Sequence, residues 1–253
     1  MEAWLDFGRG PLFRLCFALM LLGLLRILAL TVIGMREAYR RNPDKILAWG
    51  DLTYQTVCWL FPLGRLWRKR PVYSTVSFLF HVGLILVPLF LTAHILLWKH
   101  GTGLSWPALP QTVANWLTLL VIVTAAALFL GRAVPRGARS LSRLQEFLWP
   151  LLLAVPFLTG YLCSNVTLAP ETYQWLMLAH VYAGDLIMVM IPFTKIAHCV
   201  LLPLSQFVTG LSWKFPAGAG DRVAATLGYA DRPTWVERPR VATHQTTTPA
   251  EEA

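Results

Sequence analysis

Apolar residues along this chain gather into long, nearly unbroken runs instead of alternating with polar ones. Five runs, near 11–34, 74–98, 113–131, 147–165 and 174–206, match the about 20 residues that a helix needs to cross a bilayer. The fifth is long enough to tilt or kink, and it contains Pro192 and Pro203. A further stretch, 46–64, is apolar and aromatic but is interrupted by Gly50 and Asp51, so it reads as an interfacial or re-entrant segment. From 213 to 253 the chain turns polar and rich in Pro, Gly and Thr, the composition of a loosely ordered tail that orders on a partner. The pattern predicts an all-α integral membrane protein: a five-helix bundle over 1–212, then a polar tail over 213–253.

Composition agrees with a bilayer as solvent. The chain is 56% hydrophobic and only 14% charged, against about 25% charged residues in ordinary soluble domains. Its net charge of +9 would suggest nucleic acid, but the basic residues fall between the apolar runs, where they report topology. The connection 35–73 holds Arg36, Arg40, Arg41, Lys45, Arg65, Arg68, Lys69 and Arg70, and 132–146 holds Arg132, Arg136, Arg139 and Arg143. By contrast 99–112 holds only Lys99, and 166–173 holds no Lys or Arg. The positive-inside rule then puts the N-terminus outside and the C-terminus in the cytoplasm, as an odd number of spans requires. The first run is too long for the apolar core of a cleavable signal and is expected to remain as a span.

The candidate chemistry lies in histidine. Cys16, Cys58, Cys163 and Cys199 form no C-x-x-C pair, which argues against zinc, an iron–sulfur cluster or a covalent c-type haem and leaves them as small apolar fillers. Of six His, four fall inside spans, and in only two of them: His81 and His94 in the second, His180 and His198 in the fifth. Ionisable groups within a bilayer are costly and rare, so this confinement needs a reason beyond packing. The two spans run in opposite directions. His94 therefore pairs with His180 at the outer end and His81 with His198 at the inner end, and each pair can clamp one haem iron axially. Bis-imidazole ligation leaves no vacant position and favours electron transfer.

Helical phase supports one span and opposes the other. His180 and His198 are 18 residues apart, about five turns, and share a face of an ideal helix. His81 and His94 are 13 apart, which puts them about 140° out of phase at about 100° per residue, with Pro88 between them to break the register. The axial separations, about 20 Å and about 27 Å, also differ, so tilt or a kink near Pro192 has to absorb the mismatch.

The fifth-span motif runs from His180 through Gly184, Asp185, Pro192, Phe193 and Lys195 to His198, with Pro203 beyond. It resembles the cytochrome b (gamma) subunit of respiratory nitrate reductase, as do Phe80-His81-x-Gly83 and Arg26 of the first span. The likeness covers roughly residues 8–210. The wider second-span interval, with Pro71-Val-Tyr-Ser before it and His94-Ile-Leu-Leu-Trp98 after, is more similar to the membrane cytochrome b associated with dissimilatory sulfite reduction. This resemblance implies a prokaryotic inner-membrane subunit with two b-type haems on His81, His94, His180 and His198. It implies quinol chemistry near the outer haem, menaquinone being the expected species. It also implies a cytoplasmic iron–sulfur or molybdoenzyme partner.

Several other charges lie at membrane depth or at its edges. Arg26 suits a haem propionate, or a pair with Asp185 or helix-end carbonyls. Lys195 reaches either an inner propionate or the headgroups. Asp185 could accept a quinol proton or neutralise Arg26 or Lys195, and Lys99, with His100, could meet a quinone carbonyl or simply anchor the helix end. The expected role is a di-haem subunit passing electrons between the quinone pool and a cytoplasmic redox partner, as part of an oxidoreductase complex. The rival is a proton or ion transporter using the same His, Asp and Lys residues, which should show inverted repeats or broken helices at matching positions.

Overall fold

The computed structural model describes residues 1–41, 49–60, 70–212 and 219–229, and every element among them is helical. Among the described residues, five segments are long and apolar enough to cross a membrane: Glu2–Arg40, Pro71–Phe90, Gln111–Ala133, Leu144–Asn165 and Pro170–Phe193. The chain is therefore a multi-pass membrane protein.

The first span is longer than its apolar run. A short helix α1 (Glu2–Phe7) leads through a π-helical turn at Gly8–Leu12, which holds Pro11, into α2 (Phe13–Arg41). The stretch expected as an interfacial segment contains α3 (Trp49–Leu60); the rest of it lies outside the described residues. So do Lys45, Arg65, Arg68 and Lys69 of the basic connection.

The second apolar run is not one helix. Residues Pro71–Phe90 form α4, started by a proline whose missing N–H would be unpaired in the first turn anyway. Leu91 is then extended, with φ −74° and ψ 131°, and α5 (Thr92–Thr102) restarts the helix until Gly103, at φ 79°, ends it. The break leaves the carbonyls of Pro88, Leu89 and Phe90 without their helical amides. Each finds another donor: His94 Nδ1 at 3.1 Å, Trp106 Nε1 at 2.7 Å and the Leu109 amide at 2.9 Å. A single helix over 74–98 would have satisfied these groups internally, but Pro88 weakens that ladder and the 103–110 turn supplies substitutes.

Helix α6 (Gln111–Ala133) and the short α7 (Arg136–Leu141) lead to α8 (Leu144–Asn165). The fifth run divides as well. Helix α9 (Pro170–Met190) passes into two 3₁₀ turns on either side of an extended Thr194, and α10 (His198–Ser212) follows. A straight 174–206 helix is thus replaced by a span and a separate helix. The Thr194 hydroxyl donates to the Met190 carbonyl at 2.8 Å and accepts from the Ile196 amide at 3.3 Å, which pins the break. In the tail, α11 (Ala219–Thr226) is helical where a loosely ordered segment was expected.

Packing runs in a ring. Helix α4 lies on α6, α6 on α8, α8 on α9, and α9 on α2, while α10 packs on α2 and α3. Trp98 of α5 closes the ring by meeting Phe13 and Phe17 of α2 edge-on, at 6.1 and 4.5 Å between ring centres. The tight core is on the α4–α6–α8 side, where Phe80, Val121, Ala125 and Phe157 are buried. Gly83 is required there, because a Cβ would come within 2.9 Å of the Leu117 carbonyl oxygen. Outward-facing Leu, Ile and Val along α2, α6 and α8 form a surface suited to lipid.

Candidate functional site

The second and fifth apolar runs face each other across this ring, and their imidazoles meet in the two expected pairs, although His94 on α5 and His198 at the start of α10 fall beyond the Pro71–Phe90 and Pro170–Phe193 spans and not inside them as expected. His94 and His180 have ring centres 6.0 Å apart with planes 11° from parallel. His81 and His198 have centres 5.9 Å apart with planes at 81°. For one metal between two imidazoles, bonds of about 2.0–2.1 Å plus about 1.1 Å from each nitrogen to its ring centre predict about 6.2–6.4 Å. Both pairs are within a few tenths of an ångström of that spacing.

The second nitrogen of each ring gives a stronger indication. His81 Nδ1 bonds the Ser77 carbonyl at 2.7 Å, His94 Nδ1 the Pro88 carbonyl at 3.1 Å, His180 Nδ1 the Pro156 carbonyl at 2.8 Å, and His198 Nδ1 the Lys195 carbonyl at 2.8 Å. A carbonyl only accepts, so in all four rings Nδ1 is the donor, which leaves Nε2 as the nitrogen that could face a metal. Metal-binding imidazoles are held in this way, the far nitrogen tied to a fixed acceptor that sets tautomer and orientation.

The irregular backbone makes these acceptors available. Pro88 is freed by the break at Leu91, and Lys195 sits in the 3₁₀ turn after Thr194. Pro156 lies inside α8, where the side chain four residues on would normally shield its carbonyl. That residue is Gly160, and a Cβ there would stand 2.8 Å from His180 Cε1 and 3.0 Å from Nδ1. The second-span break also answers the phase objection, since His94 reaches back to the level of Pro88 from a separate helix. The fifth-span pair does not share the face of one straight helix as the 18-residue interval suggested; the break at Thr194 redirects His198 toward His81.

Three buried polar atoms have no partner among the described residues: Ser74 Oγ, Trp149 Nε1 and Asp185 Oδ2. Ser74 precedes His81 by seven residues, two turns on the same face, and Trp149 lies near the start of α8. Both are donors near the His81–His198 end. Asp185 is 4% exposed and lies toward Cys16 on α2.

The remaining expected residues are dispersed. Arg26 is exposed on α2 and forms no ion pair with Asp185. Lys195 Nζ instead meets Glu146 Oε1 at 2.6 Å, so Asp185 neutralises neither cation. Lys99 and His100 are exposed in the last turn of α5. All four cysteines are free: Cys16 is buried, Cys163 half-buried, and Cys58 and Cys199 exposed. Sequence reasoning missed Gly160, Ser74 and Trp149; the Pro156-x-x-x-Gly160 spacing was the available signal for the first. Among the described residues no group of three or more His, Cys, Asp or Glu converges as a metal site, and the histidine pairs are two-ligand arrangements.

Fold and site together define a five-span helical membrane protein with two cross-bundle imidazole pairs. The chain is 34% identical over 188 residues to a protein of Nitratidesulfovibrio vulgaris, an alignment that takes in 74% of this chain and 81% of the other. It belongs to the same family as that protein, whose name, "Protein", states no activity. No family model and no solved structure matches the chain.

Proposed function

We propose that this protein is a di-haem b cytochrome subunit, passing electrons between membrane quinol and a redox partner on the side of the basic connections. The observation that carries this reading is the fourfold pattern at the histidines: two ring pairs at 5.9 and 6.0 Å, each Nδ1 held by a backbone carbonyl. His94 and His180 would hold one b haem, His81 and His198 the other. When bound, each haem would supply a one-electron couple. The residues around it orient the imidazoles by holding each Nδ1 on a backbone carbonyl. Ser74 and Trp149 are buried donors suited to an acceptor such as a propionate, and Lys195 is already engaged by Glu146. Arg36, Arg40, Arg70, Arg132 and the α7 arginines suit an acidic partner surface on one membrane side. An iron–sulfur or molybdoenzyme subunit in a prokaryotic inner membrane fits the family likeness of the fifth-span motif.

One observation favours the transporter rival, because the second and fifth spans are both broken. The breaks are poorly placed for it. Leu91 follows 20 helical residues and Thr194 follows 24, so both lie near span ends and not at a midplane site. The carbonyls freed at Leu91 are already taken by His94, Trp106 and Leu109. A reduced-minus-oxidised spectrum of the purified protein, with haem counted per chain, separates the two. Two low-spin b haems removable without breaking thioether bonds are expected, and a chain that purifies folded without haem overturns the cytochrome reading.

A further inference from the structure

Three of the four histidines take their anchoring carbonyl from a long helix: Ser77 and Pro88 belong to α4, and Pro156 to α8. His198 does not. Its Nδ1 bonds the Lys195 carbonyl, at 2.8 Å, inside a three-residue 3₁₀ turn that follows the extended Thr194. Such turns have poorer hydrogen-bond geometry than an α-helix and are used in short pieces. The same carbonyl accepts the His198 amide, so backbone and ring of this residue both refer to one oxygen. Where that oxygen points decides where the ring points.

The turn is held from outside by the Lys195 side chain. Its Nζ meets Glu146 Oε1 at 2.6 Å, 49 residues away along the chain. Glu146 is in turn fixed at the third position of α8, where its Oε2 accepts the Arg143 amide at 3.2 Å as one half of a capping box. The two oxygens of this carboxylate thus join the start of a membrane span to the turn that carries His198. Arg132, whose charge also reaches Glu146, donates to the Tyr73 hydroxyl at 2.7 Å, which leaves Lys195 as the direct partner. The pair is partly exposed and adds little to stability. What it fixes is direction: one bond restrains Lys195 relative to α8, and the Lys195 carbonyl carries that restraint to the ring.

We propose that Glu146 is a positioning residue for His198. Through Lys195 it sets the plane of that imidazole against His81, and so the orientation of the two rings about the iron they would share. This rests on the di-haem reading above and adds to it a residue from a span that bears no histidine. It also gives Lys195 a role other than a propionate or headgroup contact.

The test is electron paramagnetic resonance of the oxidised, purified protein, with haem counted per chain. In a low-spin ferric haem with two imidazole ligands, the spread of g values follows the angle between the ring planes. Near-perpendicular planes give a highly anisotropic signal and near-parallel planes a rhombic one. The angles of 81° and 11° therefore predict one signal of each kind, from His81–His198 and His94–His180 respectively. Lys195→Met keeps the carbonyl that His198 uses, and Glu146→Gln keeps a side chain able to cap α8, so each removes the ion pair alone. Both should shift the low-field edge of the anisotropic signal by the same amount, with the double variant adding nothing further. The rhombic signal and two haems per chain should remain, and Lys195→Arg should keep the wild-type spectrum. A shift in Lys195→Met alone assigns the ammonium to a propionate or headgroup, and a shift in Glu146→Gln alone assigns the carboxylate to the helix cap; either overturns the proposal, as does no shift in both. Two wild-type signals of one kind overturn it as well, because the ring planes would not be those that the carbonyls set. All of these outcomes leave the haem count intact, whereas wild-type protein without haem removes the di-haem reading and the positioning role with it.

Discussion

Gly160→Ala is the sharpest perturbation the structure offers. The new methyl carbon would stand 2.8 Å from Cε1 and 3.0 Å from Nδ1 of His180, where carbon atoms in contact sit about 3.5–4.0 Å apart. The ring must retreat by about 0.7 Å or more, and its 2.8 Å bond to the Pro156 carbonyl resists that movement. Metal–ligand bonds tolerate only about 0.2 Å. A displacement of that size exceeds this tolerance, so the His94–His180 pair, with ring centres 6.0 Å apart, would no longer meet the geometry that two bonds to one iron need. Overpacking of this kind costs about 1–3 kcal/mol, which leaves the bundle folded. Haem counted per chain should therefore fall from two to about one, with the surviving spectral component assigned to His81–His198. Gly184→Ala on α9 is the matched comparison, since a Cβ there meets nothing within 4 Å, and it should keep both haems. Two haems with an unchanged spectrum in Gly160→Ala would refute the argument that His180 is an iron ligand held against Gly160.

Other consequences can be checked directly. His94→Ala and His180→Ala should remove one and the same spectral component, while His81→Ala and His198→Ala remove the other; a component shared by His94→Ala and His198→Ala would break the pairing. Trp106→Phe strips the indole donor from the Leu89 carbonyl and should cost about 1 kcal/mol in denaturant unfolding, with the spectral change confined to the His94–His180 component. Lys195→Met should lower stability by less than about 1 kcal/mol, because its partner pair is partly exposed, 52% and 30%, and water screens it. Cysteine labelling in sealed vesicles should reach Gly101→Cys from the outside and Arg139→Cys only from the inside; the opposite pattern would invert the topology and the electron path.

Much of this protein is legible in one dimension. Hydropathy alone locates the spans, because a bilayer demands about 20 apolar residues wherever a helix crosses it, whatever the helix packs against. Chain direction then pairs His94 with His180 and His81 with His198, since consecutive spans alternate and depth follows from sequence position. Tertiary structure decided what local rules could not. Pro88 signalled a weak point, but the break falls at Leu91, where Trp106 and Leu109 capture the freed carbonyls. The 18-residue interval in the fifth span suggested one straight helix, yet Thr194 divides it, and only that division brings His198 to His81. Whether Gly160 is a gap or a seat depends on His180, twenty residues away, and the fates of Asp185 and Lys195 were set by α2 and Glu146. Periodicity describes how a helix relates to itself. Which carbonyl is exposed and which carboxylate is left unpaired depend on residues brought together from distant parts of the chain.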